Sequence, residues 1–278
     1  MGLFFNQKPV ALVDDALDLY KANEFASATR STVPLISLLK HDGDVWATIT
    51  KELSATSPGE MHLEFTVKSP QGRGKASHTD VMLIQGNRAV AFEAKWTGPR
   101  YDQVSKWLVG GDDPENRRLV MSGWLSLLQP HSTHTLRLED FGAAIYQMVH
   151  RAASACYKDH APTLAYIQFC PLANGGDPDV MLMNDLSYFH NLLGAPDEFP
   201  FWLVEVVAKP TETFEKIRGL TSGLPDTAKE VHRALCNGSL FEFTKLHLHR
   251  IRGLRVDAAR IVEFSTIERH VAHGTSDE

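Results

Sequence analysis

The sequence has few cysteines, and their number and spacing exclude two classes of small structural site. Cys156, Cys170 and Cys236 are odd in number and far apart, so they predict neither a disulfide framework nor a zinc knuckle. The chain also lacks an apolar run as long as a membrane span and the basic, then apolar layout of a signal peptide. Asn6 stands where a myristoylation motif needs Ser or Thr. We therefore expect a reduced, cytoplasmic protein of ordinary composition.

Several catalytic motifs are absent as well. The sequence contains no Gly-x-Ser-x-Gly elbow, Walker loop, dinucleotide fingerprint or His-Glu-x-x-His pattern, which argues against the reactions that depend on them. His247 and His249 alternate along a predicted strand, as in some zinc sites, but a third ligand at a suitable spacing is missing. We interpret them as partly exposed strand histidines.

The chain has no excess of positive charge, which bears on any role in nucleic-acid binding. Its formal net charge is −6, so the molecule as a whole does not attract phosphate. One stretch differs, because it carries Lys245, Arg250, Arg252, Arg255 and Arg260 against Asp257. This basic stretch predicts either a footprint on DNA, with Arg250 and Arg252 as contacts, or an edge strand that is protected against aggregation.

The most informative stretch is residues 77–96, which predicts a β-hairpin with polar side chains on one face. Read with a period of two, Asp80 lies on one face of the first strand, and Glu93 and Lys95 lie on one face of the second. Gln85-Gly86-Asn87 supplies the turn. The remaining positions form an apolar face with Val81, Leu83, Val90, Phe92 and Trp96. The hairpin thus brings two carboxylates and an ammonium together.

These three charged side chains have the chemistry that phosphodiester hydrolysis needs. Two carboxylates that converge in a sheet are hard oxygen ligands for Mg²⁺ or Mn²⁺. A nearby ammonium can orient a water molecule and stabilise the charge that builds on phosphorus. The alternative is a solvated strand face, on which Glu93 and Lys95 pair across from Asp80 with little effect on stability.

The pattern Asp80 … Glu93-Ala94-Lys95, followed by a helix with Gln103, resembles the PD-(D/E)xK nuclease superfamily, which has the restriction-endonuclease-like fold. The similarity covers mainly residues 43–128, and a predicted strand at 163–170 is consistent with it. The resemblance implies that Asp80 and Glu93 bind the metal ion and that Lys95 is the catalytic lysine. Thr79 stands where a proline often precedes the aspartate, at one of the loosest positions of the motif.

A helix predicted at residues 100–109 follows the hairpin and ends at Gly110-Gly111. Gln103 and Trp107 lie one turn apart on it. In the RecB-like branch of the superfamily, a glutamine and an aromatic residue at this spacing help to line the active site. The resemblance therefore implies a catalytic role for Gln103, whereas we interpret Trp107 as a core residue.

The superfamily usually supplies one more acidic residue, from a helix before the first strand. Residues 43–53 predict such a helix, and Glu52 is the expected acid. Glu60 and Glu64 compete with it, because residues 61–68 predict a strand in which Glu64 alternates with apolar side chains; each of the three is otherwise a solvated surface acid. The basic residues expected to touch phosphate in this half are Lys68, Arg73, Lys75, His78 and Arg100.

The pattern as a whole predicts an α/β protein with a central mixed β-sheet flanked by helices on both faces, as a restriction-endonuclease-like core with a C-terminal extension. It begins helix–strand–strand–strand–helix–strand. A long helix is predicted at 139–157, further helices at 181–193 and 225–235, and further strands at 201–208 and 240–251. Residues 1–130 would form the nuclease-like core, and residues 131–278 would continue the sheet or form a compact subdomain.

Two functional hypotheses follow. The first is a metal-dependent endonuclease that hydrolyses phosphodiester bonds of nucleic acid, with DNA as the expected substrate, in restriction, repair or mobile-element biology. The second is a non-catalytic binding or assembly module with a nuclease-like fold, which the acidic net charge allows. A homodimer is a further option, because many nucleases of this superfamily cut both strands as dimers, and no membrane partner is expected.

Overall fold

Strands and helices alternate along the chain in the computed structural model, which describes residues 2–55, 59–96, 101–172 and 180–264. The strands are β1 (Gly2–Phe5), β2 (Lys8–Val10), β3 (Glu60–Val67), β4 (Ser77–Gln85), β5 (Arg88–Lys95), β6 (Ala161–Pro171), β7 (Phe201–Pro210), β8 (Phe241–Arg252), β9 (Arg255–Val256) and β10 (Arg260–Glu263). The α-helices are α1 (Val13–Leu17), α2 (Thr32–His41), α3 (Gly43–Glu52), α4 (Val104–Val109), α5 (Pro114–Leu128), α6 (Tyr146–Ala155), α7 (Val180–Leu193), α8 (Glu212–Arg218) and α9 (Pro225–Asn237).

All of these strands belong to one mixed sheet. Its order is β10-β8-β7-β6-β5-β4-β3-β1-β2, with β9 paired to β8. The centre, β5-β6-β7, is parallel, and β3-β4-β5 is an antiparallel meander. Parallel strands need a crossover between them, and the helices α4 to α6 supply it between β5 and β6. The predicted fold class, an α/β protein with a central mixed sheet, is confirmed.

Helices cover both faces of the sheet. One face, here called the α3 face, packs against α1, α2, α3, α8 and α9. The other, called the α6 face, packs against α4, α5, α6 and α7. The apolar side of the predicted hairpin lies in the core of the α3 face, as Val81, Leu83, Val90, Phe92 and Trp96 show. Glu93 and Lys95 alternate with Phe92 and Ala94, so they point toward the α6 face.

The strongest sequence patterns give elements close to their predicted bounds. The hairpin of β4 and β5 turns at Gly86, which has a φ of +58°, as expected for a short loop. The predicted strands at 61–68, 163–170, 201–208 and 240–251 are β3, β6, β7 and β8, and the predicted helices at 43–53, 181–193 and 225–235 are α3, α7 and α9.

Two predicted helices are shorter than expected. In place of one helix at 139–157, a 3-10 helix (Leu138–Phe141) precedes α6. Gly142 lies between them, and Ile145 forms a bridge with Gln103. The helix predicted at 100–109 begins only at Val104, and residues 97–100, including Arg100, lie outside the described residues. In both cases tertiary pairing of the 103 and 145 segments competes with helix propensity.

Strands from the first 130 residues and from the remainder lie side by side in the sheet, since β5 pairs with β6. A hairpin of β1 and β2 also joins it through β3, which the sequence did not predict. Helices α2 and α5 were likewise not predicted. Within the described ranges, every helix is too short or too polar to cross a membrane.

Candidate functional site

Three carboxylates occupy neighbouring positions on three adjacent strands. Leu63 and Phe65 of β3 pair with Val81 and Thr79 of β4, which places Glu64 beside Asp80. Val81 pairs with Phe92. Asp80 and Glu93 are the next residues on the two antiparallel strands, so they are neighbours as well. Glu64, Asp80 and Glu93 thus form one row across β3, β4 and β5.

Glu64 has an unusual backbone conformation for a strand residue. Its φ is +53°, in the left-handed region that is uncommon for a residue other than glycine. Leu63 before it packs in the core of the α3 face, but Phe65 after it packs in the core of the α6 face. In a regular strand these two side chains would share a face. Glu64 therefore reverses the facing of β3 at the height of Asp80, and such local strain is often found at functional sites.

Asp80 reaches across to the next strand. Its Oδ2 accepts a hydrogen bond of 2.7 Å from the backbone N–H of Ala94. Burial, followed by repulsion from Glu93 and Glu64, raises the pKa of Asp80 well above its ordinary value, against the attraction of Arg151 and Lys95. The residue as a whole is half-buried, and its carboxylate borders the cavity described below. Repulsion from Glu93 and Glu64 therefore adds to burial as a cause of the raised pKa.

Glu93 is held by three donors. Lys95 Nζ donates to Oε1 over 2.7 Å, and Gln147 Nε2 donates to the same oxygen over 2.8 Å. Arg151 Nε donates to Oε2. Burial alone would raise the pKa of Glu93, but the charges of Arg151 and Lys95 outweigh it and lower the pKa. Glu93 is therefore an anion fixed in orientation from two sides.

Lys95 lies between the carboxylates and an aromatic ring. Its Nζ is 4.2 Å from the centre of the Tyr101 ring, a cation–π distance. Burial would lower the pKa of Lys95, yet Glu93, Tyr101 and Asp80 raise it. The side chain is thus an ammonium ion at neutral pH. In this form it can contribute positive charge and donate hydrogen bonds.

Arg151 is itself positioned by a buried polar cluster. Its Nη1 donates to Ser77 Oγ over 2.7 Å, and Ser77 Oγ lies 2.9 Å from His150 Nδ1. Burial, together with Arg151, holds the pKa of His150 well below its ordinary value, so the imidazole is neutral. Ser77 on β4 and His150 on α6 therefore fix the guanidinium against Glu93.

The three carboxylates open into a cavity of about 480 Å³. Charged residues of both signs line it: Lys21, Glu24, Arg30, Glu64, His78, Asp80, Glu93, Lys95 and Arg151. Glu24 binds Arg30 over 3.2 Å, and His78 lies 3.3 Å from Glu64. Burial, then Glu24, raises the pKa of Glu64 to about 7, with Arg151 opposing. The cavity thus combines titratable acids with cations at its rim.

A protein-family model matches residues 9–209 of the chain, and its description is "Domain of unknown function (DUF6946)". The match covers more than two thirds of the chain. The chain belongs to this family. No protein in a search of curated proteins and no solved structure matches the chain.

The part that matches the DUF6946 family contains all of the contacts around Glu93. It includes the three carboxylates and Lys95 on the meander, and Gln147 and Arg151 on α6. Strand β8 begins at Phe241, beyond the matched residues, so the basic stretch 245–260 lies outside them.

Glu52, the expected helical acid, lies elsewhere. It is the last residue of α3, whose Val45 and Ile49 pack on the α3 face, and it accepts a hydrogen bond of 2.6 Å from Arg260. Ser54, two residues later, accepts a hydrogen bond from Arg88 at the start of β5. Lys95 lies at the other end of that strand, so Glu52 is near the end of β5 that is opposite to the carboxylate row. Glu52 does not line the cavity, and Glu64 is the acid beside Asp80. Glu60 instead contacts His62.

Gln103 does not line the cavity. It precedes α4, and its backbone carbonyl accepts from the N–H of Trp107. The glutamine that contacts Glu93 is Gln147, which the sequence analysis missed. Gln147 and Arg151 are buried one turn apart on α6, and two polar residues at that spacing on an apolar helix face are a signal that could have revealed them. The rings of Trp107 and Tyr146 are stacked with their centroids 3.7 Å apart, which agrees with a packing role for Trp107.

Of the basic residues proposed for nucleic-acid contact in the first half, His78 lines the cavity. Arg73 and Lys75 lie in an exposed loop away from it, and Arg73 is 3.7 Å from Asp113. The cations that reach the rim are Lys21 and Arg30, from a segment that the sequence analysis did not single out.

The basic stretch of β8 to β10 is largely neutralised. Arg252 binds Asp197 over 2.8 Å and Asp257 over 3.1 Å, and Arg250 lies 3.9 Å from Asp197. Lys245 and Arg260 pair with Glu263 and Glu52. Arg250 and Arg252 do not line the cavity, and three of the neutralising carboxylates, Asp197, Glu52 and Glu263, lie outside the basic stretch in sequence.

Proposed function

We propose that this protein is a metal-dependent nuclease that hydrolyses phosphodiester bonds of nucleic acid, with DNA as its substrate. The observation that carries the proposal is the row of Glu64, Asp80 and Glu93 across three adjacent strands, with Lys95 bound to Glu93. The residues that resemble the PD-(D/E)xK pattern, Asp80, Glu93 and Lys95, lie on one cavity. This placement supports the proposal.

The charges of the row fit a hard dication such as Mg²⁺ or Mn²⁺. Burial raises the pKa of Asp80 and of Glu64, and repulsion from Glu93 adds to both shifts; a bound cation would offset that repulsion. In the described part of the chain, the three carboxylates do not form a closed group of ligands within 4.8 Å of one another. Mg²⁺ suits such an open arrangement, because it prefers one or two carboxylates with water and substrate phosphate.

In this proposal Asp80 and Glu93 hold the metal ion, and Glu64 takes the role expected of the helical acid. A bound dication would lower the pKa of a water nucleophile and neutralise charge on the phosphate. Lys95, as an ammonium, stabilises negative charge that develops on the phosphoryl oxygens. Gln147 and Arg151 orient Glu93. At the rim, Lys21, Arg30 and His78 contact the flanking phosphates.

A second function is favoured by one contact, the ion pair between Arg151 and Glu93. Because a cation of the protein already compensates Glu93, the cavity could serve a non-catalytic module that binds nucleic acid without a metal ion. The nuclease requires a dication that Asp80 helps to hold, whereas the binding module requires no dication.

Cutting by purified protein tests the proposal. We expect cleavage of DNA only with Mg²⁺ or Mn²⁺. Asp80→Asn should lower the cleavage rate by at least about 100-fold, because the variant removes the charge of a metal ligand. Asp80→Asn should keep or raise the melting temperature, since it also removes a repelled buried charge. Glu64→Gln should impair cutting, and Glu52→Gln is the matched control that should cut like the parent. Cutting by Asp80→Asn at the parent rate would contradict the site.

A titration separates the two functions. Calorimetry with Mn²⁺ should show binding that Asp80→Asn abolishes and Glu52→Gln retains. If the parent binds DNA but shows no Mn²⁺ signal at roughly 1 mM ion, an affinity limit near −4 kcal/mol, the binding module is supported instead.

A further inference from the structure

Three side chains of metal-ligand type lie together on β7 and β8, away from the cavity. Glu205 pairs in register with His247 on the neighbouring strand, and His249 follows two residues later on the same face of β8. One ligand atom from each of the three lies within 4.8 Å of the others. The third ligand that the sequence analysis could not find for the two histidines is therefore Glu205, which comes from an adjacent strand.

Glu205 is buried and only partly satisfied. Its side chain is 1% exposed, and Oε2 lies 2.9 Å from His249 Nε2 and 3.5 Å from His247 Nδ1. Oε1 has no hydrogen-bond partner within the described residues. A buried carboxylate oxygen without a partner costs stability, and a cation bound to it would offset that cost.

This cluster is separate from the proposed nuclease site. One row across β5, β6 and β7 contains Lys95, Gln168 and Glu205. Two strand spacings, roughly 10 Å, therefore separate Lys95 from Glu205. Alternation places both groups on the α6 face, since Leu203 and Phe201 pack there. The cavity lining contains none of the three ligand-type residues.

The donor types select a different metal ion from that of the carboxylate row. Two imidazoles and one carboxylate suit Zn²⁺ and related transition-metal ions, whereas Mg²⁺ seeks oxygen ligands. Three protein ligands leave a fourth position of a tetrahedral ion to water. His247 has a side chain 19% exposed, so the cluster is not sealed from solvent.

We propose that Glu205, His247 and His249 form a second metal site, which binds one Zn²⁺-class ion and ties β7 to β8. The ion takes the carboxylate of Glu205 from one strand and an imidazole nitrogen from each histidine of the other. Neutral histidine and ionised glutamate are the ligand forms, and the ion would take the place of the hydrogen bond between His249 and Glu205. The proposal does not depend on nuclease activity.

Zinc titration of the full chain, after removal of metal with a chelator, tests the site. We expect one equivalent of Zn²⁺ to bind and to raise the melting temperature. His249→Gln, His247→Gln and Glu205→Gln should each weaken binding by at least about tenfold. His134→Gln, at an exposed histidine, should bind like the parent. Binding that survives in all three ligand variants, or no binding at about 100 μM Zn²⁺, would overturn the proposal.

A second measurement avoids the risk that a buried variant fails to fold. Crystals of the parent protein soaked in Zn²⁺ and measured at the zinc absorption edge should show an anomalous peak among Glu205, His247 and His249. A soaked crystal with peaks only at other places would contradict the site, and the hydrogen-bonded cluster would then be a purely structural Glu–His network.

Discussion

At the scale of single residues, the site depends on carboxylates that the fold forces together. Burial and like charge oppose ionisation of Glu64 and Asp80, whereas Arg151 and Lys95 favour ionisation of Glu93. Acids in one cavity therefore differ in the direction of their pKa shifts. Such separation is typical of functional sites, and it makes the behaviour of Glu64 measurable.

Glu64→Gln should change how stability depends on pH. The pKa of Glu64 is about 7 in the folded protein against 4.5 as its ordinary value, so the folded state holds the proton more tightly. The resulting stability is fully present below pH 4.5 and is lost as the pH rises through about 7. Without metal ions, the variant should exceed the parent by about 1–3 kcal/mol near pH 8 and by little near pH 5.

Urea unfolding in a chelating buffer at the two pH values measures this difference, with Glu215→Gln on exposed α8 as the control. The groups that face Glu64 and are held constant in the comparison are Lys21, Glu24, His78, Asp80, Glu93 and Arg151. The same pH dependence in parent and variant would show that Glu64 titrates near its ordinary value.

At the scale of elements, α5 holds the loop between β3 and β4. Ser69 Oγ donates to the carbonyl of Val120, and Asn116 exchanges hydrogen bonds of 2.7 Å with the backbone of Arg73. The loop that the sequence offered for phosphate contact is thus docked on a helix. Gly123 allows this close approach, because a Cβ there would lie 2.1 Å from Ser69 Oγ and 2.8 Å from the backbone nitrogen of Gln71.

Gly123→Ala should therefore destabilise the protein by about 1–3 kcal/mol, although alanine favours a helix over glycine by about 1 kcal/mol. Gly219→Ala is the matched control, because Gly219 ends α8 with a φ of −74° and has nothing within 4 Å of an added Cβ. Chemical denaturation of both variants gives the comparison. A Gly123→Ala protein as stable as the parent would mean that the loop moves away at no cost.

At the scale of the whole molecule, two apolar layers share one sheet, and its C-terminal strands complete both. β8 pairs with β7 from Phe241 to Ile251, with one shift of register. It contributes Phe241, Phe243 and Leu246 to the α3 face and Ile251 to the α6 face. The part that matches the DUF6946 family ends at residue 209, before these strands. The matched part alone would leave β7 as an edge with buried apolar side chains exposed.

A chain that ends at residue 209 should therefore fail to unfold cooperatively. Loss of β8 exposes a long apolar strand edge, which promotes aggregation. Circular dichroism melting and size-exclusion chromatography would show a broad transition and aggregates. The control is a chain that ends at residue 264, which keeps every described strand. A sharp transition of the 209-residue chain would show that the matched part is an independent unit.

The central hairpin could be predicted from the sequence, because alternating polarity and a Gly-containing turn act locally, and Asp80, Glu93 and Lys95 lie where a period of two places them. Long apolar runs likewise determined β6 and β7. The identity of the acid beside Asp80 depended on tertiary structure, because the pairing of β3 with β4 places Glu64 there, whereas Glu52 on α3 pairs with Arg260. Distant segments also supplied Arg151 to Glu93, Glu205 to the two histidines, and carboxylates to the basic stretch. Pairings between residues far apart in the chain leave no local pattern, and they depend on which strands and helices pack together.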